Sequence, residues 1–553
     1  MKNSEKFLKL IGYAGSGKTS RLLAGMERML PELGGDPLAL GFSSFTRAAR
    51  IEAVGRAAAA WEVTPALLDT EGWFRTIHST TLRCLQIDGG QLLTGCKGDI
   101  EWIAECLGSQ IRTAFDDVTG TVKFAGDDQT AVALNCWNIA RSRLLPVEAV
   151  HRAVAHTDPQ TPSLDFIVRV CEHYESAKRL DERVDFCDLL LNFAGLRVDP
   201  TEGAYEAPPQ GYVPDVAAWV FDEFQDVSPL LARVCERLIS AETVRYVVIA
   251  GDPAQSIYGF AGSTASCLLE WPADKVEVMT KTWRCPRPIL DVGEHCLSLL
   301  RSGRVERQIE PADHEGAAYR LRSIAEAAAA ATPGDDWLLL ARTNFQAKRL
   351  AAELHSLHKP FRWASVGDSG PTKKQLGLKA LHTLAAGKPV KGEDFQTAVS
   401  LIPEKSATDR MLVRGTKKRW KNADVRGEYD AVFPSDLSDA GFSDGLLERL
   451  KDGSWPTLID NGTEWAENVS RFGVDEATAP SLRVGTIHSA KGMEADSVAV
   501  LTTTSERIQT GMESPEQYDE EVRLSYVAAT RAKRNLYIIN EVGGNKCRML
   551  GMD

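Results

Sequence analysis

Short apolar runs recur along the chain, and each is followed by glycine or a polar residue and then by a stretch with helical periodicity. Brief continuous apolar runs are typical of strands buried on both faces, as in parallel sheets covered by helices. The pattern therefore predicts an α/β fold built on parallel sheets. The predicted strands are residues 7–11, 38–42, 218–221, 246–250, 337–341, 498–501 and 536–539.

Two stretches depart from this pattern. Residues 84–185 show mostly helical periodicity, which predicts a helical insertion. Residues 366–426 contain 13 Lys and Arg against 6 Asp and Glu, whereas residues 427–480 contain 3 against 12. Because neighbouring segments of opposite charge face different surroundings, and glycine and proline mark their edges, residues 366–480 are predicted to be a separate inserted domain.

The composition is that of a folded protein with several domains. The chain has 553 residues, of which 43% are hydrophobic and 25% charged. The net charge of −12 argues against non-specific coating of nucleic acid but is compatible with a local basic channel. No apolar run is long enough for a membrane span, the start lacks a secretory signal, and the eleven cysteines include no C-x-x-C pair. We expect a cytoplasmic protein of a bacterium or archaeon, or a viral protein acting in a host cytoplasm.

The clearest local motif is a phosphate-binding loop. Residues 12–19 (G-Y-A-G-S-G-K-T) follow a predicted strand and precede a predicted helix. Glycines let backbone N–H groups point at phosphates beside the positive end of the helix dipole. Lys18 can then reach the β- and γ-phosphates, and the Thr19 hydroxyl can bind Mg²⁺. The predicted nucleotide-binding residues of this loop are Gly12, Gly15, Ser16, Gly17, Lys18, Thr19 and Ser20.

A second group of candidates follows the third and fourth predicted strands. Asp222 and Glu223 come at the carboxyl end of a strand, where ligands bind in open α/β sheets. Asp222 is placed to hold Mg²⁺ through water, and Glu223 is the candidate to orient and deprotonate the attacking water. Gln255 can act as a neutral donor to a γ-phosphate. Tyr258 and Phe260 fit either of two roles, stacking on nucleic-acid bases or packing in the core.

Taken in order, these motifs resemble those of the UvrD/Rep group of superfamily 1 DNA helicases, and the resemblance covers almost the whole chain. Besides the phosphate loop, the matching segments are residues 44–50 (S-F-T-R-A-A-R), 76–79 (T-I-H-S), 185–190 (D-F-C-D-L-L), 222–226 (D-E-F-Q-D), 251–260 (G-D-P-A-Q-S-I-Y-G-F), 282–284 (T-W-R), 342–344 (R-T-N), 484–494 (V-G-T-I-H-S-A-K-G-M-E) and 521–532 (E-V-R-L-S-Y-V-A-A-T-R-A).

The resemblance implies two RecA-like P-loop NTPase lobes, each a parallel sheet flanked by helices, with ATP and Mg²⁺ between them and helical domains inserted. The implied domains are residues 1–85 and 191–285 for the first lobe (1A), 86–190 for its insertion (1B), 286–365 and 481–553 for the second lobe (2A), and 366–480 for its insertion (2B).

The resemblance also implies roles that local chemistry leaves open. Arg284 and Arg531 take the positions of arginines that stabilise charge on the transferring phosphoryl group, typically worth roughly 10³–10⁵ in rate. By its residue type alone, Arg531 fits a salt bridge on a helix face equally well. Trp283 takes the position that stacks on adenine, and Glu494 the position that contacts the ribose.

A nucleic-acid strand is implied to cross both lobes, where aromatic rings stack on bases and hydroxyl, imidazole and Arg groups bind phosphates. For the two histidines of this set, a purely structural role is an equal alternative. The implied contact residues are Phe45, Thr46, His78, Tyr258, Phe260, Arg342, Asn344, Thr486 and His488.

The resulting hypothesis is an ATP-dependent single-stranded DNA translocase and DNA helicase, with 3′→5′ polarity implied by resemblance alone. Its expected partners are single-stranded DNA, junctions of single- and double-stranded DNA, and proteins of replication, repair or defence. Three alternatives stay open: a DNA-dependent ATPase that remodels protein–DNA complexes without unwinding, an RNA motor, and a nucleotide-switched nucleic-acid-binding protein.

Two further segments complete the sequence prediction, and the first of them has two competing interpretations. Residues 414–421 (R-G-T-K-K-R-W-K) either grip duplex phosphates or form a solvated surface loop. Residues 185–190 are expected to be structural, with Cys187 as a buried thiol.

Overall fold

The structure is a computed structural model. It describes residues 6–45, 47–109, 111–116, 121–125, 129–158, 160–306, 308–364, 370–407, 409–423, 430–541, 545–547 and 549–550. Thr46 and the predicted domain edge near residue 366 lie outside these ranges. Within them, no helix combines the length and the apolarity that crossing a bilayer requires.

The chain begins with strands and helices in alternation. The second predicted strand starts two residues late because residues 37–39 form a 3₁₀ turn, in which the Asp36 carboxylate accepts a hydrogen bond from the backbone N–H of Leu38. The elements are β1 (Phe7–Gly12), α1 (Lys18–Met29), β2 (Leu40–Ser44), α2 (Arg47–Ala60), β3 (Trp73–Thr76) and α3 (Ile77–Leu85).

A mainly helical insertion follows. Its elements are α4 (Lys97–Leu107), β4 (Arg112–Asp116), β5 (Thr121–Ala125), α5 (Gln129–Arg143), α6 (Val147–Thr157), α7 (Leu164–Leu180), α8 (Phe186–Ala194), β6 (Leu196–Asp199) and β7 (Gly203–Glu206). Helices α4 to α7 share a core to which Ile103, Leu134, Val150 and Ile167 contribute. The antiparallel hairpin β4–β5 is an addition to the helical pattern that the sequence predicts.

The first sheet is completed by β8 (Ala218–Asp222), α9 (Pro229–Leu238), β9 (Tyr246–Gly251), α10 (Ser266–Leu269) and β10 (Lys275–Met279). Its six strands are all parallel, in the order β10-β1-β9-β8-β2-β3. The segments that follow β1, β9 and β8 therefore leave neighbouring strands at one edge of the sheet, where ligands bind. Strand β10 lies at the side of the sheet with most of its side chains at least partly exposed, so it lacks the apolar run of a central strand.

The second lobe starts with α11 (Arg287–Ser298), β11 (Ala317–Leu321), α12 (Ile324–Ala330), β12 (Trp337–Ala341), α13 (Asn344–Ser356) and β13 (Arg362–Trp363). A second insertion follows, with α14 (Lys373–Ala385), β14 (Val390–Lys391), α15 (Gly392–Leu401), α16 (Thr416–Lys421), β15 (Ala431–Val432), α17 (Asp444–Asp452), α18 (Gly462–Phe472) and α19 (Val474–Thr478). This insertion has a hydrophobic core of its own, with Phe395, Trp420 and Trp465 among its buried residues.

The chain then returns to the second sheet with β16 (Leu482–Thr486), β17 (Ala495–Leu501), α20 (Glu506–Gly511), α21 (Pro515–Ala529) and β18 (Ala532–Ile539). All its strand pairs are parallel, in the order β11-β18-β17-β12-β16-β13. Strand β16 carries Arg483, whose guanidinium pairs with Asp336, so its apolar pattern is interrupted. The two parallel sheets flanked by helices confirm the predicted fold class.

Candidate nucleotide and nucleic-acid site between the lobes

The phosphate-binding loop joins β1 to α1. Gly15 and Gly17 have positive φ angles of 71° and 80°, and a Cβ on Gly15 would lie 2.4 Å from the Cβ of Arg284. Glycine is therefore required for both the turn and the close approach of the neighbouring segment. The Lys18 ammonium donates to the carbonyls of Gly12 and Tyr13 at 3.3 and 3.5 Å, so it lies over the loop where the phosphates are expected.

Two further loop residues have contacts that define their surroundings. Ser16 is buried, and its backbone N–H donates to the carbonyl of Tyr13 at 3.1 Å, which closes the loop. The Ser20 hydroxyl accepts a hydrogen bond from Arg56 at 2.7 Å, so it contacts α2 in this structure.

Thr19 and Asp222 meet at the end of β8. The Thr19 hydroxyl donates to the Asp222 carboxylate at 2.9 Å, which brings together the two residues predicted to bind Mg²⁺. Burial and the nearby Glu223 raise the pKa of Asp222 to about 6, because both disfavour its negative charge. A hydroxyl beside a carboxylate that lacks charge compensation suits a hard divalent cation.

Glu223 is turned away from Asp222 by an unusual backbone conformation. Its φ of 55° lies in the left-handed region, which a non-glycine residue adopts only when the surroundings enforce it. Its carboxylate accepts a hydrogen bond from Gln225 at 2.5 Å. Although burial opposes ionisation, the positive charges of Lys18 and Lys491 lower the pKa of Glu223 below its usual value. Glu223 is therefore ionised at neutral pH, as a general base must be.

The segment that follows β10 packs directly on the phosphate-binding loop. The Thr282 hydroxyl donates to the carbonyl of Ala14 at 2.8 Å, and the backbone N–H of Trp283 donates to the carbonyl of Gly15 at 2.9 Å. The Trp283 ring is 65% exposed, with the Lys281 ammonium 4.5 Å from its centroid. An indole ring beside the phosphate loop and open to solvent is suited to stacking on a nucleotide base.

Arg284 and Glu494, both predicted to contact the nucleotide, are paired with each other. Their guanidinium and carboxylate approach to 2.6 Å, and Glu494 also binds Lys533 at 2.9 Å. Arg284 also donates to the carbonyl of Thr530 at 3.2 Å. Arg284 must exchange the Glu494 carboxylate for phosphate oxygens in order to act on the nucleotide.

Arg531 reaches from the second lobe to the first. Its side chain is buried, and its guanidinium donates to the side-chain oxygen of Gln255 at 3.1 Å and to the carbonyl of Met493 at 3.2 Å. Burial, and then the like charge of Arg284, lower the pKa of Arg531 to about 10, which leaves it charged at neutral pH. Gln255 in turn donates to Asp252 at 2.8 Å. The positive charges of Lys18 in the first lobe and Arg531 in the second both lower the pKa of the Glu223 carboxyl group.

Some residues of this interface lie inside the quoted motifs but have no role in the sequence prediction. They are Asp226, Asp252, Lys491 and Tyr526. The Lys491 ammonium contacts the Asp226 carboxylate at 2.5 Å and donates to the carbonyl of Gln255 at 2.7 Å. The Tyr526 hydroxyl donates to Asp252 at 2.9 Å and accepts from the backbone N–H of Ala14 at 3.3 Å. Spacing along the chain carried no signal for these pairs, since the partners are hundreds of residues apart.

Four of the predicted nucleic-acid residues form an aromatic cluster at the lobe interface. Tyr258 stacks on Phe45 with ring centroids 5.7 Å apart, and Phe260 lies edge to face against His488 at 5.4 Å. Tyr258 is buried, whereas Phe260 is 39% exposed. In this conformation, part of the Phe260 ring is exposed to solvent, and the buried Tyr258 ring packs against it.

Among the other predicted nucleic-acid residues that the structure describes, only one is exposed. Burial lowers the pKa of His78 to about 4, so it is neutral at physiological pH. Arg342 makes a bidentate ion pair with Glu521 at 2.6–3.0 Å, and Thr486 is hydrogen-bonded within its own turn to Ser489. Asn344 is exposed at the start of α13.

The fold and the site together define an ATPase of the class in which two RecA-like lobes share one nucleotide. The UvrD/Rep helicase N-terminal domain model matches residues 1–275, and the UvrD-like helicase C-terminal domain model matches residues 471–542. The chain belongs to the UvrD/Rep helicase family.

Curated relatives agree with this assignment. A putative ATP-dependent DNA helicase YjcD of Bacillus subtilis is 23% identical over 96% of this chain and 76% of its own length. The ATP-dependent DNA helicase UvrD2 of Mycobacterium tuberculosis is 25% identical over 69% of this chain and 55% of its own. The F-box DNA helicase protein 1 of Schizosaccharomyces pombe is 27% identical over 58% and 33%, respectively.

Proposed function

We propose that this helicase hydrolyses ATP between its lobes in order to move along single-stranded DNA and separate duplexes, with 3′→5′ polarity. The observation that carries the proposal is the contact of Arg531 with Gln255 across the lobe interface, close to Glu223. A transition-state arginine supplied by the opposite lobe makes turnover depend on lobe closure. Cytoplasmic action at single-strand and junction DNA, with replication, repair or defence proteins as partners, belongs to the same proposal.

The positions of the side chains support the following hydrolytic step. The ionised Glu223 accepts a proton from the attacking water, whose oxygen bonds to the γ-phosphorus as the bond to the β-phosphate oxygen breaks. Lys18, Arg531 and Gln255 donate to the phosphate oxygens as charge develops there. Thr19 and Asp222 would hold Mg²⁺, which supplies charge neutralisation for the phosphates. The products are ADP and inorganic phosphate.

Lys491 connects the nucleotide cleft to the aromatic cluster. Its ammonium contacts Asp226 and the Gln255 carbonyl, and it also lies 4.5 Å from the centre of the Tyr258 ring. Tyr258 in turn packs against Phe45 and His488, one residue from each lobe. A change in lobe closure at the nucleotide therefore reaches the rings that face the strand.

The basic helix α16 supports a role for the second insertion in duplex binding. Trp420 is buried in the core of the insertion, which fixes the helix, while Lys418 and Lys421 are exposed on it. Lys417 and Arg419 donate to backbone carbonyls at 3.0 and 2.8 Å. We include contact of this helix with duplex phosphates in the proposal, and we expect that contact to weaken with salt.

Strand separation tests the proposal. Duplexes with a single-stranded tail at either the 3′ or the 5′ end are incubated with ATP and Mg²⁺, with Glu223→Gln as the inactive control. We expect wild-type protein to unwind the 3′-tailed duplex and Glu223→Gln to leave it intact. ATPase stimulation by DNA without unwinding would favour the remodelling alternative. Preferential stimulation by RNA would favour an RNA motor.

A further inference from the structure

Phe345 is a large apolar side chain on a rigid part of the second lobe, yet 74% of it is exposed. It is the second residue of α13, whose start is fixed by reciprocal hydrogen bonds between Thr343 and Gln346 at 2.9–3.3 Å. Arg342, immediately before, is held by its bidentate pair with Glu521. The ring is therefore presented to solvent by a backbone that is anchored on both sides.

A single exposed aromatic residue is common on protein surfaces, so position decides its meaning. The backbone N–H of Ile487 donates to the carbonyl of Ala341 at 3.0 Å, which joins the loop bearing His488 to the end of β12. Strands β12 and β16 are neighbours, and neighbouring strands lie about 4.8 Å apart. The His488 ring is 5.4 Å from Phe260.

These contacts form one continuous path. It runs from Phe260 in the first lobe through His488 to the strand end that carries Arg342, Asn344 and Phe345. Asn344 is exposed and adjacent to Phe345 in the chain, and it offers a polar group for a sugar or a phosphate. A path of this composition has the parts of a single-strand binding surface, with aromatic faces for bases and polar groups for the backbone.

We propose that Phe345 stacks on an unpaired base and holds the strand on the second lobe. Phe260 would hold the strand on the first lobe in the same way. The inference rests on the proposed function, since it needs a strand that crosses both lobes. Because the two rings belong to different lobes, closing the nucleotide cleft changes their separation. A base held at each ring is then moved relative to the other in every ATP cycle.

The first test is the concentration of single-stranded DNA that gives half-maximal ATPase stimulation. Stacking contributes roughly 1–3 kcal/mol per base, so Phe345→Ala should raise this concentration by roughly 5- to 150-fold. The ATPase rate without DNA should stay within about twofold of wild type, and Phe345→Trp should restore most of the DNA affinity. Tyr205→Ala is the matched control, because Tyr205 is an exposed aromatic residue on the hairpin β6–β7, away from the path.

The second test uses DNA of the same length with a tract of abasic sites. Stacking requires a base, so Phe345→Ala and wild type should bind the abasic strand equally. Equal losses on normal and abasic DNA, or no loss on either, would overturn the stacking role and would point to a protein partner or a structural role. Absence of any DNA stimulation in the wild type would instead reject the proposed function itself.

Discussion

Two groups of buried charges in this protein use the same residue types for different ends. One lies in the helical insertion, where Arg141 and Lys178 meet Glu175, Asp185 and Asp188. The other lies between the lobes and contains Lys491 with Asp226, Arg284 with Glu494, and Arg531 with Gln255. The first joins helices of one insertion, whereas the second joins two lobes that the proposed mechanism requires to move relative to each other.

Each carboxylate of the insertion cluster has at least one cation partner. Oxygen atoms of Glu175, Asp185 and Asp188 lie within 4.8 Å of one another, as in a metal site, but two cations fill the space between them. Arg141 reaches Asp185 at 2.8 Å, and Lys178 reaches Asp188 at 2.6 Å. The cluster ties α5 and α7 to the start of α8, which supports a structural role for residues 185–190. Cys187 in that segment is buried, and burial raises the pKa of its thiol to about 11.

In the cluster between the lobes, some charged groups have only neutral hydrogen-bond partners among the described residues. Arg284 is paired with one carboxylate, Arg531 is held by neutral oxygen atoms, and Asp222 accepts a hydrogen bond from the neutral Thr19 hydroxyl. Partners of this kind can be exchanged for a triphosphate at low cost. In this protein, the cluster in which every carboxylate has a cation partner is interpreted as structural, and the cluster between the lobes is proposed to serve catalysis.

The largest expected effect that separates the two clusters is on turnover. Arg531→Ala should lower the DNA-stimulated kcat by roughly 10³-fold or more, because the charge on the transferring phosphoryl group loses its partner. Thermal unfolding should be affected less than by removal of Arg141, because the partners of Arg531 are neutral oxygen atoms and those of Arg141 are carboxylates. Arg534→Ala, an exposed arginine three residues along the chain, is the control and should keep full turnover. Normal turnover in Arg531→Ala would contradict the proposal that the cluster between the lobes is catalytic and the insertion cluster structural.

The converse effect is expected in the insertion. Arg141→Ala should lower the free energy of unfolding by about 3–5 kcal/mol, because it leaves buried carboxylates without a partner. ATPase activity per folded molecule should remain near the wild-type value. Denaturant unfolding measures the first quantity and activity at low temperature the second. Arg152→Ala, which removes an exposed pair on α6, should have little effect on either.

A third expectation concerns Lys491. Lys491→Met leaves Asp226 buried and unpaired in the closed interface, so DNA-stimulated kcat should fall at least about tenfold. The double variant Lys491→Met/Asp226→Asn removes the unpaired carboxylate and should recover part of that loss. Lys275→Met is the control, because Lys275 is exposed at the start of β10. A double variant that is no better than the single one would contradict the pairing argument.

The smallest effect is a pH dependence of stability. Burial raises the pKa of Asp226 to about 7 despite Lys491, whereas the ordinary value is 3.8. The native state therefore binds more protons than the unfolded state between these values, and the unfolding free energy falls as pH rises through this range. Denaturant titrations at several pH values should show a flatter profile for Asp226→Asn. Parallel profiles for the two proteins would be the contrary result.

The sequence predicted best what is local. The phosphate-binding loop and Asp222 with Glu223 were identifiable because each follows an apolar strand within a few residues. Partners across the interface, such as Lys491 and Asp226, are 265 residues apart and leave no local pattern. Tyr258 and Phe260 have the same residue class and neighbouring positions, and only the fold decides that one is buried and the other exposed. Phe345 is followed at i+3 and i+4 by Lys348 and Arg349, so helical periodicity places it on the polar face of α13, but the sequence alone assigned this exposed ring no role.

The central claim is that ATP is hydrolysed between the two lobes under the control of a bound strand. Steady-state ATPase of the wild type and of Glu223→Gln, with and without single-stranded DNA, tests it most directly. We expect DNA to raise the ATPase rate of the wild type at least about tenfold, and we expect Glu223→Gln to have almost no turnover in either condition. A wild-type rate that ignores DNA, or substantial hydrolysis by Glu223→Gln, would contradict it.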